Sequence, residues 1–221
     1  RTAAAFLFAL YGHPERSFRI TGITGTKGKT TTAQFLYHLL TARGCRTAVV
    51  GTLGLVCDGD TVPTENTTPD LFFLVPHMAR LCADGVRDLV LELSSQALAD
   101  RRVDGLPVTG AVLTSFGKDH IGENEHPNVG AYLAAKHRLF SDFSPSFTVY
   151  NADIPEARRL ISPRNRCISC SLTEQADVRA DVLSVGREGT LYRFSGKDYR
   201  LSLPGGCHVM NALLSATVAH M

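Results

Sequence analysis

"GITGTKGKTTTAQF", Gly22 to Phe35, sets the reading of everything around it. Three glycines and two lysines lead into a run of threonines, and the chain then turns apolar. Upstream, "FRITGIT" (18–24) is β-branched and apolar and predicts a strand. Downstream, Phe35, Leu36, Leu39 and Leu40 recur at helical spacing until Gly44 stops the run. Strand, glycine turn and helix is the layout of a loop that grips phosphate. Glycines let successive N–H groups converge on an anion, and the positive end of the following helix adds to the pull. Gly25 and Gly28 supply the turns, Lys29 the charge and Thr30 a hydroxyl for Mg²⁺. Thr26, Lys27 and Thr31 complete the cradle. The spacing departs from the general G-x-x-x-x-G-K-S/T pattern, being shorter counted from Gly25 and one residue longer counted from Gly22. A purely structural turn is the plain alternative; the Lys-Thr pair at a helix start favours phosphate.

"RTAVVGT" (46–52) is a second strand, so the chain opens on a βαβ unit. A polar loop rich in Thr, Pro and Asp follows. "PDLFFLVPHMARLCADG" (69–85) predicts a helix with a kink or break at Pro76. "RDLVLELSS" (87–95) and "VTGAVLTSF" (108–116) are nearly continuous apolar runs, as in buried parallel strands. "NVGAYLAAKHRLF" (128–140) is an amphipathic helix, "SFTVYNAD" (146–153) a strand and turn, and "IPEARRLI" (154–161) a short helix. From Cys167 the pattern changes to short strands: "RCISCSL", "DVRADVLSV", "GTLYRFS" and "DYRLSLPG". The predicted fold is α/β: a P-loop type, mostly parallel sheet flanked by helices, with a small antiparallel β patch near the C-terminus.

The chain has 221 residues, with 44% hydrophobic and 20% charged side chains and a formal charge of +2. That near-neutral balance gives no basic face for nucleic acid or an anionic membrane. No apolar run reaches the ~20 residues of a bilayer span. "RTAAAFLFAL" lacks the basic region and cleavage site of a leader and reads as a helix. The first residue is not Met and the last residues lie in an apolar helical pattern, so the chain is read as a piece of a longer protein. Six cysteines suit a reducing cytoplasm rather than a disulfide scaffold. Cys167-Ile168-Ser169-Cys170 falls in a strand-like run, without the helix N-terminus or second ligand pair that a redox or zinc role needs.

"TGTKGKTTT" resembles the T-G-T-N-G-K-T-S/T loop of the Mur ligase superfamily, ATP-dependent enzymes that join amino acids to cell-wall precursors; relatives make folylpolyglutamate. The resemblance covers nearly all of the chain, in the family's order. "YGHPERSFRITGITGT" is similar to the run-in to the central ATPase domain of the E-type branch, the UDP-N-acetylmuramoyl-tripeptide synthetases. "NTTPD" (66–70) resembles that branch's Thr-Thr-Pro segment, which contacts the nucleotide-sugar peptide. "LELSSQALADRRV" (91–103) resembles E-V/L-S-S-H-A-L-x-x-x-R-V, and "VLTSFGKDHI" (112–121) a strand ending in Asp-His. "YLAAKHRLF" (132–140) resembles Y-x-x-A-K-x-x-L-F, "YNAD" the N-x-D turn, and "HVMNALLSATVA" (208–219) the closing N-A-x-x-A helix.

The resemblance implies ATP and two Mg²⁺ sites. Lys29, Glu92 and Lys136 are the implied catalytic residues; Thr30, Glu92, His120 and Lys136 are the implied metal ligands. A carboxylate closing an apolar strand suits Mg²⁺, which prefers oxygen. Lys136 matches a lysine that CO₂ carbamylates, turning a cation into an anionic oxygen ligand. Its ammonium must first lose a proton, which burial or nearby charge favours. Thr67, Thr68, Ser94 and Arg102 match positions near the substrate. Helix capping explains Ser94 and Ser95 as well, and a surface salt bridge explains Arg102. Asn211 matches the nucleotide side. Asn151 and Asp153 frame either the adenine and ribose or a plain Asx turn.

The implied reaction is amide-bond formation through an acyl phosphate, on the small molecules UDP-MurNAc-peptide and an amino acid, in the cytoplasm. Residues 1–221 would be the central ATP-binding domain, with UDP-binding and amino-acid-binding domains outside the chain. Departures from the pattern are Lys27 for Asn, Gln96 for His, "IGENEHPN" after His120, with His126 as a candidate substitute histidine, and His208 for Asn. Lys27 keeps open a folylpolyglutamate-like or cyanophycin-like ligase. A nucleotide-binding module without catalysis is the remaining alternative.

Overall fold

In the computed structural model, which describes residues 2–117, 122, 126–161 and 166–221, the opening unit folds as the glycine loop predicts. Helix α1 (Thr2–Leu10) precedes β1 (Arg19–Thr24), the loop, α2 (Lys29–Ala42) and β2 (Thr47–Gly51). Then come β3 (Gly54–Cys57), β4 (Asp60–Val62), α3 (Leu71–Ala83), β5 (Asp88–Glu92), α4 (Ser95–Ala99) and β6 (Val108–Leu113). The rest is α5 (Val129–Ser141), β7 (Phe147–Asn151), α6 (Ala157–Leu160), β8 (Arg166–Ser171), β9 (Val178–Gly186), β10 (Gly189–Phe194), β11 (Lys197–Leu201) and α7 (Gly206–Ala219).

The described strands form one sheet in the order β11-β10-β9-β8-β7-β6-β1-β5-β2-β3-β4. From β2 to β9 every pairing is parallel; at each end it turns antiparallel. The period-2 pleat sends alternate apolar residues to two cores. Ala48, Val50, Leu89, Leu91, Ala111 and Leu113 face one, with Leu74 and Met78 of α3 and Leu139 of α5. Val49, Val90 and Val112 face the other, with Leu36 of α2 and Leu213 of α7. Burial on both faces is why these strands read as continuous apolar runs.

Three expectations are corrected. The stretch read as polar loop contains the β3–β4 hairpin. Asp58 and Gly59 both have positive φ (52° and 90°) between the paired Cys57 and Asp60, the Asp-Gly turn that hairpins favour. Leu55 packs into the core. The helix at Pro76 does not break: α3 runs through it. The carbonyl that loses its partner belongs to Phe72, which is 74% exposed, where water can serve it. Finally, β8 belongs to the parallel sheet, beside β7, so the C-terminal antiparallel patch starts at β9. The pleat puts Cys167 and Cys170 on opposite faces of β8, and none of the six cysteines is in a disulfide. Among the described residues no helix is long and apolar enough to cross a membrane.

Candidate active site

The chain passes from β1 through α2 outward to β2, and later returns to the other side of β1 with β6. In an open α/β sheet the crevice at such a reversal, beyond the carboxyl ends of the strands, is the ligand position. Four strand ends meet there: the loop 25–28 after β1, Thr52 after β2, Glu92 closing β5, and Thr114 to Gly117 after β6.

Gly28 is the N-cap of α2, with φ +84°. A Cβ there would lie 2.6 Å from Asn211 Oδ1, so both backbone shape and space call for glycine. The first turn of α2 leaves N–H groups with no partner within the helix. Lys29 Nζ donates to the carbonyls of Gly25 (2.8 Å) and Thr26 (3.2 Å). Burial lowers the Lys29 pKa, and the Glu92 carboxylate partly offsets that.

Glu92 is 1% exposed and makes no ion pair among the described residues. Its Oε2 accepts from Thr30 Oγ1 at 2.8 Å, and its Oε1 accepts from the Thr52 N–H at 3.0 Å. Thr52 Oγ1 lies 3.1 Å from Thr67 Oγ1. Burial raises the Glu92 pKa; hydrogen bonds from Thr30 and Thr52 and the charge of Lys29 oppose it. A buried carboxylate ringed by hydroxyls is a hard oxygen donor set that fits Mg²⁺. Among the described residues no three of His, Cys, Asp and Glu gather as a metal cluster, so the carboxylate and hydroxyl oxygens of Glu92 and Thr30 are the donors on offer.

A Cβ on Gly51 would fall 1.9 Å from Glu92 Oε1. Overpacking of this kind costs about 1–3 kcal/mol. Gly51→Ala is therefore expected to lower Tm by about 2–10 °C in a melting experiment. An unchanged Tm would show that Glu92 swings aside freely.

Lys136, on α5, is 1% exposed. Its Nζ sits 4.6 Å from the centroid of the Tyr132 ring. Burial holds its pKa well below the usual lysine range, and the positive charge of Lys29 pushes the same way. Tyr132 OH lies 2.7 Å from Thr26 Oγ1, which also accepts from the Gly117 N–H at 2.9 Å. The phosphate loop and the lysine helix are thus joined through one tyrosine.

The other expected residues are placed as follows. Thr68 Oγ1 donates to the Glu92 carbonyl (2.8 Å) and accepts from the Ser94 N–H (2.9 Å). Ser94 caps α4, accepting from the Ala97 N–H at 3.1 Å. Arg102 pairs with Asp100 at 2.8 Å. Asn211 lies against Gly28. Asn151 Nδ2 donates to the Thr114 carbonyl at 3.1 Å, and Asn151 Oδ1 accepts from the Asp153 N–H at 3.0 Å, an Asx turn. His126 is buried against Tyr132, with ring centroids 5.2 Å apart. His120 lies outside the described residues. The N–H groups of Thr26 and Lys27 are engaged by Ser115. Sequence reasoning gave no role to Thr52, Thr114, Ser115 or Tyr132, although each sits in a stretch that it had singled out. A cleft of about 200 Å³ between the β3–β4 hairpin and α3, lined by Arg46, Cys57, Asp58 and His77 among others, shares none of these residues.

Glycine loop, helix N-terminus, lysine, hydroxyl and buried carboxylate thus meet at the sheet's switch point, where an open α/β sheet takes its ligand. The sequence model of the Mur ligase middle domain matches residues 23–219, and the chain belongs to that family. Among relatives, the UDP-N-acetylmuramoyl-L-alanyl-D-glutamate–2,6-diaminopimelate ligase of Parabacteroides distasonis is 32% identical over 205 residues, covering 92% of this chain and 42% of the relative. The enzyme of the same name from Synechococcus elongatus is 35% identical over 219 residues, covering 96% and 44%. A solved structure of a ligase with that name superposes with TM-score 0.82 at 25% identity, over 95% of this chain and 45% of that one. Folylpolyglutamate synthase of Mycobacterium tuberculosis, in complex with ADP and AMPPCP, shares the fold (TM-score 0.75, 18% identity, 99% and 58% covered). The chain spans under half the length of the ligase relatives it matches.

Proposed function

We propose that this chain is the ATP-binding domain of a ligase that adds an amino acid to UDP-MurNAc-dipeptide. The observation that carries the proposal is the 2.8 Å contact between Thr30, on the glycine-loop helix, and the buried Glu92. It joins a phosphate grip to a hard-cation donor. The relatives' names make diaminopimelate the expected amino acid. UDP-linked substrates and ATP make the cytoplasm the expected compartment.

A carboxylate oxygen of the dipeptide attacks the γ-phosphorus of ATP, the bond to the β,γ-bridging oxygen breaks, and ADP leaves. The amine of the incoming amino acid then attacks the acyl carbon of the acyl phosphate and expels phosphate. The protein's part is positioning and charge stabilisation. First-turn N–H groups of α2, including those of Lys29, Thr30 and Thr31, orient the phosphates. Lys29 leaves the carbonyls of Gly25 and Thr26 to meet the charge on the transferring group. Thr30 and Glu92 would hold one Mg²⁺; His120 and a carbamylated Lys136 would hold a second. Mg²⁺, when bound, neutralises charge on the phosphate oxygens. The Lys136 carbamate forms when the neutral amine attacks CO₂ and releases a proton. The motif matches assign Thr67, Thr68, Ser94 and Arg102 to the dipeptide side and Asn211 to the nucleotide.

Phosphate release by the full-length protein, with ATP, Mg²⁺ and UDP-MurNAc-L-Ala-D-Glu, tests this across amino acids including diaminopimelate and lysine. Release is expected only with the UDP precursor and one amino acid together, and to be lost in Lys29→Ala. Release that ignores the UDP precursor would overturn the assignment.

A further inference from the structure

The peptide between Lys27 and Gly28 is held from the β6 side by two hydroxyls. Ser115 Oγ donates to the Lys27 carbonyl at 2.9 Å and accepts from the Lys27 N–H at 2.8 Å. Thr114 Oγ1 donates to the same carbonyl at 2.7 Å. The Ser115 carbonyl accepts from the Thr26 N–H at 3.0 Å. The support is itself braced, because Asn151 Nδ2 donates to the Thr114 carbonyl.

We infer that Ser115 is a positioning residue of the phosphate loop, whose hydroxyl fixes the orientation of the Lys27–Gly28 peptide. The C=O and N–H of a trans peptide point in opposite directions. Holding the Lys27 carbonyl toward β6 therefore directs the Gly28 N–H away from β6, where it stays free for an anion. Gly28 has positive φ and no side chain, so little steric cost opposes a flip of this peptide. Flipped, it would present a carbonyl oxygen to phosphate oxygens, and like partial charges repel. Three of the four contacts to Ser115 and Thr114 counted here act on Lys27, whose side chain is exposed; the grip is on the backbone and does not depend on which side chain stands there.

The inference rests on the nucleotide reading above, and one experiment separates the two. Equilibrium binding of ATP and ADP to the full-length protein is measured for wild type, Lys29→Ala, Ser115→Ala and Ser115→Thr, with Tm for each. Ser115→Ala loses two neutral hydrogen bonds, so nucleotide binding is expected to weaken about tenfold. KM for ATP should rise while KM for the amino acid holds. Ser115→Thr keeps the hydroxyl and should bind within about twofold of wild type. Wild-type affinity in Ser115→Ala, a loss that Thr does not rescue, or a change in Tm alone would each overturn the inference. A wild type that binds no nucleotide would overturn the nucleotide reading along with it.

Discussion

Lys136→Met should make the protein more stable and, at the same time, inactive. Lys136 is a fully buried lysine whose visible neighbours are the Tyr132 ring and the like charge of Lys29. A well-packed apolar side chain in place of buried charge is worth about 1–4 kcal/mol. The pH dependence follows from the lowered pKa. In the unfolded chain the ammonium persists to about pH 10.4; in the folded protein the proton leaves at a much lower pH. Between those limits the unfolded state binds more protons, so wild-type stability climbs with pH. The methionine variant lacks that climb. Its advantage is largest below the lowered pKa and closes above about pH 10.4. The same neutral amine is what CO₂ needs, so wild-type turnover should fall in CO₂-stripped buffer and return with bicarbonate. Turnover of Lys136→Met should be down about 10²–10³-fold and indifferent to CO₂. Denaturant melts across pH, paired with phosphate release, decide it. A variant less stable than wild type at neutral pH, or one that turns over normally, would sink this account.

What the sequence shows and what it hides follow from physical range. The glycine loop is legible because the strand, the turn and the helix start that make it are contiguous. Glu92 is legible because it closes an apolar run, and burial on both faces of β5 is written in five consecutive residues. Parallel order is legible for the centre but not for β8, because a strand lying beside β7 and one starting a hairpin look alike when short and only half-buried. Pro76 does not break its helix, because the carbonyl it orphans can reach water. The Asp58-Gly59 turn is written in the dipeptide, but the polar residues around it make the stretch read as loop. Thr52 and Ser115 could not be read locally. Their roles arise from contacts across 40 and 88 positions of chain, and a lone hydroxyl after a strand looks the same whether it braces a loop or faces water. Arg102 and Ser94 show the converse. Their motif matches are clear, yet the contacts they make are a salt bridge and a helix cap.

Glu92→Gln separates the two jobs that Glu92 performs. As a structural residue it accepts hydrogen bonds, from the Thr52 N–H on one oxygen and from Thr30 on the other. A glutamine of the same shape keeps an acceptor for the Thr52 N–H, so the turn after β2 should hold and Tm should stay near wild type. As a metal ligand its charge is what matters, because a hard divalent cation binds carboxylate oxygen far better than an amide in a site with few waters. The variant should therefore bind ATP normally in EDTA and lose the added affinity that Mg²⁺ gives. Mg²⁺-dependent phosphate release should drop about 10²–10³-fold, the scale expected when an electrostatic partner of the transferring phosphoryl is removed. Removing the buried charge also relieves its desolvation, which already holds the carboxyl above its usual range, so any Tm change should be upward at neutral pH. Glu92→Ala is the contrast: it removes the acceptor for the Thr52 N–H and empties a buried position, and should cost about 1–3 kcal/mol of stability as well as activity. Equal loss of stability in the Gln and Ala variants, with Mg²⁺ dependence intact in Gln, would make Glu92 a brace for the β2 turn and take the cation away from this site.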